Sequence, residues 1–104
     1  MQVMQITKEN FEQEVLQSDK TVLVDFYADW CTTCKAMAPM IEEIASEETK
    51  IKVVKLNVAG EMAIARKYGV MGIPAFVVFQ DGQAVKKAAG EKSKDDILRL
   101  IRER

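Results

Sequence analysis

Histidine is absent from the 104 residues. That removes imidazole acid–base chemistry, serine–histidine hydrolysis and histidine metal ligation in one step. Cysteine occurs only twice, as Cys31 and Cys34. A secreted disulfide scaffold would carry more cysteine, spread along the chain. Neither sign of charge dominates: 15 Lys and Arg stand against 16 Asp and Glu, for a net charge of -1. This balance gives no electrostatic case for nucleic acid or an anionic membrane as the main partner. No apolar run approaches the roughly 18 residues of a spanning helix. The first residues, Met1 to Ile6, lack the basic stretch, long apolar core and cleavage site of a signal peptide. The expected address is therefore the cytoplasm, where a structural disulfide is rare.

What remains is ordinary for a globular chain, 48% hydrophobic and 30% charged. With no linker, repeat or low-complexity tract, residues 1–104 read as one domain of common size. Val3 to Ile6 is a short strand candidate. Thr7 is placed to cap a helix running to about Ser18, with Phe11 and Val15 on one face. Val22 to Ala28 is almost continuously apolar, as in a strand buried on both faces. A helix from about Cys31 to Thr49 follows, with Cys34, Met37, Met40, Ile41 and Ile44 along one stripe and Pro39 expected to kink it. Ile51 to Val58 reads as a second strand, parallel to the first through a right-handed crossover. A short helix from about Glu61 to Tyr68 stops at Gly69, and Ala75 to Phe79 is a third buried strand. Asp81-Gly82 is a two-residue hairpin signal returning Ala84 to Ala88 antiparallel. Ser93 caps the last helix, with Asp96 three residues on and Ile97, Leu100 and Ile101 as its apolar face. The six Met fit ordinary core filling. The expected fold is an α/β layer structure, a mixed sheet of about five strands with helices on both faces.

The chemistry concentrates in Trp30-Cys31-Thr32-Thr33-Cys34-Lys35, where a buried strand ends and a helix begins. Helical i, i+3 spacing holds two Cβ atoms roughly 5–6 Å apart. A small adjustment then closes a disulfide, whose Cα separation is usually about 5.5 Å. The free N–H groups and positive end of a helix lower the pKa of a thiol placed there. Cys31 stands at the exposed end and is the candidate nucleophile. Cys34, on the apolar stripe, is the candidate resolving thiol. A zinc site would need four ligands, which one cysteine pair supplies only across a dimer or with carboxylates. A purely structural disulfide closing so short a loop adds little unfolded-state entropy. Redox chemistry outweighs both readings.

Asp25 interrupts the apolar strand six residues before Cys31. Burial raises a carboxyl pKa toward neutrality and makes the group a proton acceptor. The competing reading puts Asp25 on a wet edge or in a pair with a lysine. Lys55, among the apolar residues of the adjacent strand, is the natural partner and a modulator of Asp25. Gly72-Ile73-Pro74 at a strand entry is, on its own, only a turn.

Together these residues resemble the thioredoxin family. The matches are Val24 to Ala28, Trp30-Cys31 with Cys34-Lys35, Ala38-Pro39, Lys55 to Asn57, Lys67 to Val70, Gly72 to Pro74, Phe79 to Gly82, and Gly90. The resemblance implies strand order 1-3-2-4-5 and a cis Pro74 packed beside the cysteine pair. It implies a protein disulfide reductase, with Asp25 assisting proton transfer at the buried cysteine. Substrate would dock on Trp30, Thr32, Thr33, Ile73, Pro74 and Gly90, with the Ile73 backbone pairing with the substrate chain. The expected partners are disulfide-containing proteins and a thioredoxin reductase. The expected working form is a monomer with no metal or organic cofactor beyond the Cys31–Cys34 disulfide. Two alternatives stay open: a membrane-linked extracytoplasmic thiol relay, and a scaffold subunit with incidental thiols. Thr32-Thr33 replaces the family's usual Gly-Pro. Tyr27 stands where many members carry Trp, and Ala59 where an Asp is common. Thr33 restores a backbone donor that proline lacks, and both hydroxyls are possible donors to the Cys31 sulfur.

Overall fold

The apolar run at residues 22–28 becomes the middle of a five-stranded sheet. The computed structural model describes residues 3–102. The strands are β1 (Met4–Ile6), β2 (Thr21–Tyr27), β3 (Ile51–Asn57), β4 (Ala75–Gln80) and β5 (Gln83–Ala89), in the order β1-β3-β2-β4-β5. β3 runs parallel to both β1 and β2, while β4 runs antiparallel to β2 and β5. The helices are α1 (Thr32–Glu47), α2 (Met62–Lys67) and α3 (Lys94–Arg102). This is the thioredoxin fold.

Side chains alternate across the sheet, so each central strand feeds two apolar layers. On one face Leu23, Val53, Phe76 and Val78 pack under Met37, Ile41 and Ile44 of α1 and Ile97 and Ile101 of α3. On the other, Val24, Phe26, Leu56, Val77 and Phe79 pack against Phe11, Val15 and Ala65 of α2. Phe26, Phe76 and Phe79 are wholly buried. Asp25 and Lys55 alternate into the face shared with α1, which carries the cysteine pair.

The expected helix after Thr7 forms differently. Thr7 does not cap it but closes the turn before it: its hydroxyl accepts from the Glu9 N–H at 3.3 Å, and Asn10 Oδ1 accepts from the Thr7 N–H at 2.8 Å, while Phe11 stands at the start of the helix with no side-chain cap. Residues Glu12–Leu16 then wind as a π turn, closed by the Gln17 N–H on the Glu12 carbonyl at 2.8 Å. The wider turn leaves Phe11 and Val15 both buried against the sheet and pairs Glu14 with Lys52 of β3. Packing, not local propensity, selects such a turn. α1 continues through Pro39 to Glu47 without ending at the missing N–H.

The hairpin and last helix follow their local signals. Asp81 (φ 52°) and Gly82 (φ 80°) form the two-residue turn between β4 and β5. A Cβ at Gly82 would lie 2.9 Å from the Leu16 carbonyl oxygen, so the turn demands glycine twice over. At α3, the Asp96 N–H donates to Ser93 Oγ at 3.1 Å and the Ser93 N–H donates to Asp96 Oδ2 at 3.2 Å. These reciprocal bonds, the Ser93 backbone bond foremost, hold the Asp96 carboxyl below its ordinary range. Lys94 bridges to Glu47 (2.9 Å) and Glu43 (3.0 Å), and Arg102 to Glu48 (2.8 Å), tying α3 to the far end of α1.

Candidate active site

β2 ends at Tyr27 and α1 begins at Thr32, so the intervening turn delivers Cys31 as the residue capping α1. Its N–H donates back to the Ala28 carbonyl at 3.1 Å. Cys31 and Cys34 are joined by a disulfide with a Cα separation of 5.2 Å, as the i, i+3 spacing predicts. The Cys34 N–H donates to Cys31 Sγ at 3.1 Å. A free first-turn donor of the helix thus points at the sulfur, the arrangement that favours a thiolate there.

One expectation needs correction. The sequence places Cys31 at the exposed end of the pair, yet the two are almost equally covered, at 8% and 7%. Ala28, with Tyr27, Val58 and Ile73 packed around, covers both sulfurs in the oxidised state. The asymmetry between them is therefore one of hydrogen bonding and position at the helix end rather than access. The anticipated hydroxyl bonds from Thr32 and Thr33 to Cys31 Sγ are not found among the described residues. Thr32 is exposed and Thr33 half-buried in the first turn.

Asp25 lies below α1 on the same face as Cys34. The two line a cavity of about 130 Å³ together with Tyr27, Ala28, Asp29, Lys35, Ala38 and Lys55. That space accommodates water, whose share of the liquid is about 30 Å³. Burial pushes the Asp25 carboxyl up to about 7, and the nearby Lys55 charge opposes this only in part. No side chain or backbone donor bonds to this carboxyl among the described residues, so little offsets its desolvation. Asp25 and Lys55 are directly paired in register, yet the ion pairs found among the described residues do not include them. Lys55 Nζ instead lies 5.7 Å from the centre of the Tyr27 ring.

Pro74 is buried behind a cis Ile73–Pro74 bond, and its carbonyl accepts from the Gly90 N–H at 2.8 Å. Ile73 packs against the cysteine cluster. It also lines an apolar groove of about 450 Å³ with Trp30, Val58, Met62, Val70 and Met71. Trp30 is 72% exposed and Met71 97% exposed beside this groove. Core filling therefore describes Met37 and the partly buried Met40 but not Met4, Met62 or Met71, which are exposed; Met1 lies outside the described residues. Sequence reasoning does not find this methionine lip, because Met62 in a short helix and Met71 in the turn beyond it share no distinguishing pattern. Tyr27, which crosses toward β1, is visible there only as a departure at a family tryptophan position.

The thioredoxin family model matches residues 2–103. The chain belongs to the thioredoxin family. It is 47% identical over 94 residues to a thioredoxin of Streptomyces clavuligerus, covering 90% of this chain and 88% of that one. It is 40% identical over 97 residues to a thioredoxin of Rickettsia bellii, covering 92% of each. A bifunctional thioredoxin reductase/thioredoxin of Mycobacterium leprae is 46% identical over 96 residues, which are 91% of this chain and 21% of that protein. Among solved structures, a mutant thioredoxin from Halobacterium salinarum superposes with a TM-score of 0.88 at 34% identity, covering 96% of this chain and 88% of that one. With the family established and the cysteine pair oxidised in place, the chain is a thiol–disulfide oxidoreductase, a dithiol reductase of protein disulfides. The thiol-relay and scaffold alternatives are not favoured. No helix among the described residues is long and apolar enough to cross a membrane.

Proposed function

We propose that Cys31 is the attacking thiol, Cys34 the resolving thiol and Asp25 the proton acceptor in an atypical Cys-Thr-Thr-Cys reductase. The Cys31 thiolate attacks one sulfur of a substrate disulfide, forms a mixed disulfide and expels the other substrate sulfur as thiolate. Asp25, through water in the cavity it shares with Cys34, takes the Cys34 proton. The Cys34 thiolate then attacks Cys31 Sγ, closes the intramolecular disulfide and releases the second substrate sulfur. Two electrons pass from the cysteine pair to the substrate. A thioredoxin reductase returns them.

Substrate docks along Trp30, Thr32, Thr33, Ile73, Pro74 and Gly90, with the Ile73 backbone open to pair with the substrate chain. Lys55 modulates Asp25. The working form is a cytoplasmic monomer that needs no metal or organic cofactor and no nucleic acid or membrane partner. The observation carrying this reading is the hydrogen bond from the Cys34 N–H to Cys31 Sγ, above a cavity that Asp25 shares with Cys34. Insulin reduction by dithiothreitol tests it. The chain should accelerate the onset of turbidity, and Cys31→Ser should abolish the acceleration. No acceleration by the parent chain would return the scaffold reading.

A further inference from the structure

Tyr27 reaches across the sheet. It belongs to β2, yet its hydroxyl donates to Gln5 Oε1 on β1 at 2.9 Å, and β3 lies between those two strands. The residue of β3 at that level is Lys55, which is paired in register with Gln5 on one side and with Asp25 on the other. Its ammonium stands 5.7 Å from the Tyr27 ring centre. Gln5, Lys55 and Asp25 thus form a row across three strands, with the tyrosine lying over the lysine. Opposite charges in paired strands ordinarily associate. Here the ammonium meets the face of an aromatic ring instead, an attraction strong enough to compete for it.

We propose that Tyr27 is a positioning residue: hydrogen-bonded to Gln5, it holds the Lys55 ammonium against its ring and away from the Asp25 carboxyl, and so sets the pH at which Asp25 accepts a proton. The other groups facing Asp25 are Lys35 and Cys34 from α1 and Asp29 from the turn after β2. Its β4 neighbour is Phe76, which brings no charge. Lys55 is therefore the movable cation in its own sheet, and Lys35 on α1 is unaffected by the clamp. The role deepens the reading of Asp25 as proton acceptor and rests on it for its catalytic meaning.

The test follows the Asp25 carboxyl carbon by NMR against pH in the oxidised full chain. Tyr27→Leu removes ring and hydroxyl, frees Lys55 and should lower the Asp25 midpoint by about one pH unit, the low end of what an adjacent opposite charge produces. Tyr27→Phe and Gln5→Ala, which break only the hydrogen bond at the sheet edge, should lower it less, in the same direction. Lys55→Met should raise it, and in that background Tyr27→Leu should leave it unmoved. A parent-like midpoint in Tyr27→Leu, or in both milder variants should Tyr27→Leu fail to fold, overturns the proposal. So does an equal fall with and without Lys55, which would make Tyr27 a mere cover against water. Should these shifts appear while Asp25→Asn reduces insulin at the parent rate, the clamp stands and the acceptor role falls.

Discussion

The backbone N–H of Cys34 donates to the sulfur of Cys31 at 3.1 Å, so the residue proposed to resolve would help stabilise charge on the one proposed to attack. Since burial hardly distinguishes the two cysteines, the proposed division of roles rests on this bond and the helix end. Limited alkylation of the reduced protein near neutral pH should label Cys31 first, read by peptide mass. Cys34→Ser should trap mixed disulfides with partner proteins and Cys31→Ser should not. Preferential labelling of Cys34 would reverse the assignment.

Asp25 makes stability depend on pH with an unusual sign. Burial raises its carboxyl from 3.8 to about 7. Between those values the folded oxidised protein holds a proton that the unfolded chain has released. Stability therefore falls as pH rises through this window and stays lower above it. Asp25→Asn should remove that dependence and raise stability at pH 8 while changing little near pH 4. At 1.36 kcal/mol per unit the gain is bounded by about 4 kcal/mol, and residual solvent contact reduces it. Urea unfolding at the two pH values measures it; equal effects at both would show that the carboxyl is not proton-linked to folding.

The same substitution should slow insulin reduction by up to about a hundredfold, the low end of what a positioned acid–base group contributes. The parent rate should climb as pH rises past about 7, where Asp25 becomes a carboxylate. The variant should lack this rise. A parent rate across pH 6 to 9 would make Asp25 structural.

Thr32→Gly with Thr33→Pro should give a more negative reduction potential and a higher Cys31 pKa. The hydroxyls make no bond to the sulfur in the oxidised protein, so the effect rests on the first-turn N–H that proline removes. A hydrogen bond to a charged group is worth about 1.5–3 kcal/mol at most, and about 1.4 kcal/mol corresponds to about 30 mV for two electrons. The expected shift is therefore some tens of millivolts, read by equilibration with a glutathione buffer. An unchanged or less negative potential would defeat the donor argument.

Gly82→Ala should destabilise the chain by about 1–3 kcal/mol, the usual cost of a strained backbone position. The added methyl meets both a positive φ and the Leu16 carbonyl. The urea midpoint reports it, and a parent-like midpoint would mean that the π turn carrying Leu16 yields freely.

Signals confined to neighbouring residues are legible in the sequence. The nearly continuous apolar run of β2, the Asp81-Gly82 turn, the Ser93–Asp96 cap and the Cys31–Cys34 spacing each state their geometry within a few residues. What stays hidden depends on distant parts of the chain. The π turn at Glu12–Leu16 is chosen by the sheet it covers. The bond from Tyr27 to Gln5 joins residues 22 apart in sequence across an intervening strand. The cysteine cluster is flanked by Val58 and Ile73, which only the assembled fold brings to it.

The two borders of the sheet differ in how openly they offer their backbone to a second copy. β1 spans only three residues, too few to template another strand. β5 is longer and mostly exposed, with Val85 open to solvent, and would be the natural seed for pairing between copies. Lys86 and Lys87 stand in its middle, and any two copies aligning along this border would bring those charges together. Lys87 also folds back to the carbonyls of Tyr68 and Gly69, 3.4 Å from each, so the same side chain secures the end of α2. The open border of the sheet thus carries positive charge that opposes its pairing with the same border of a second copy.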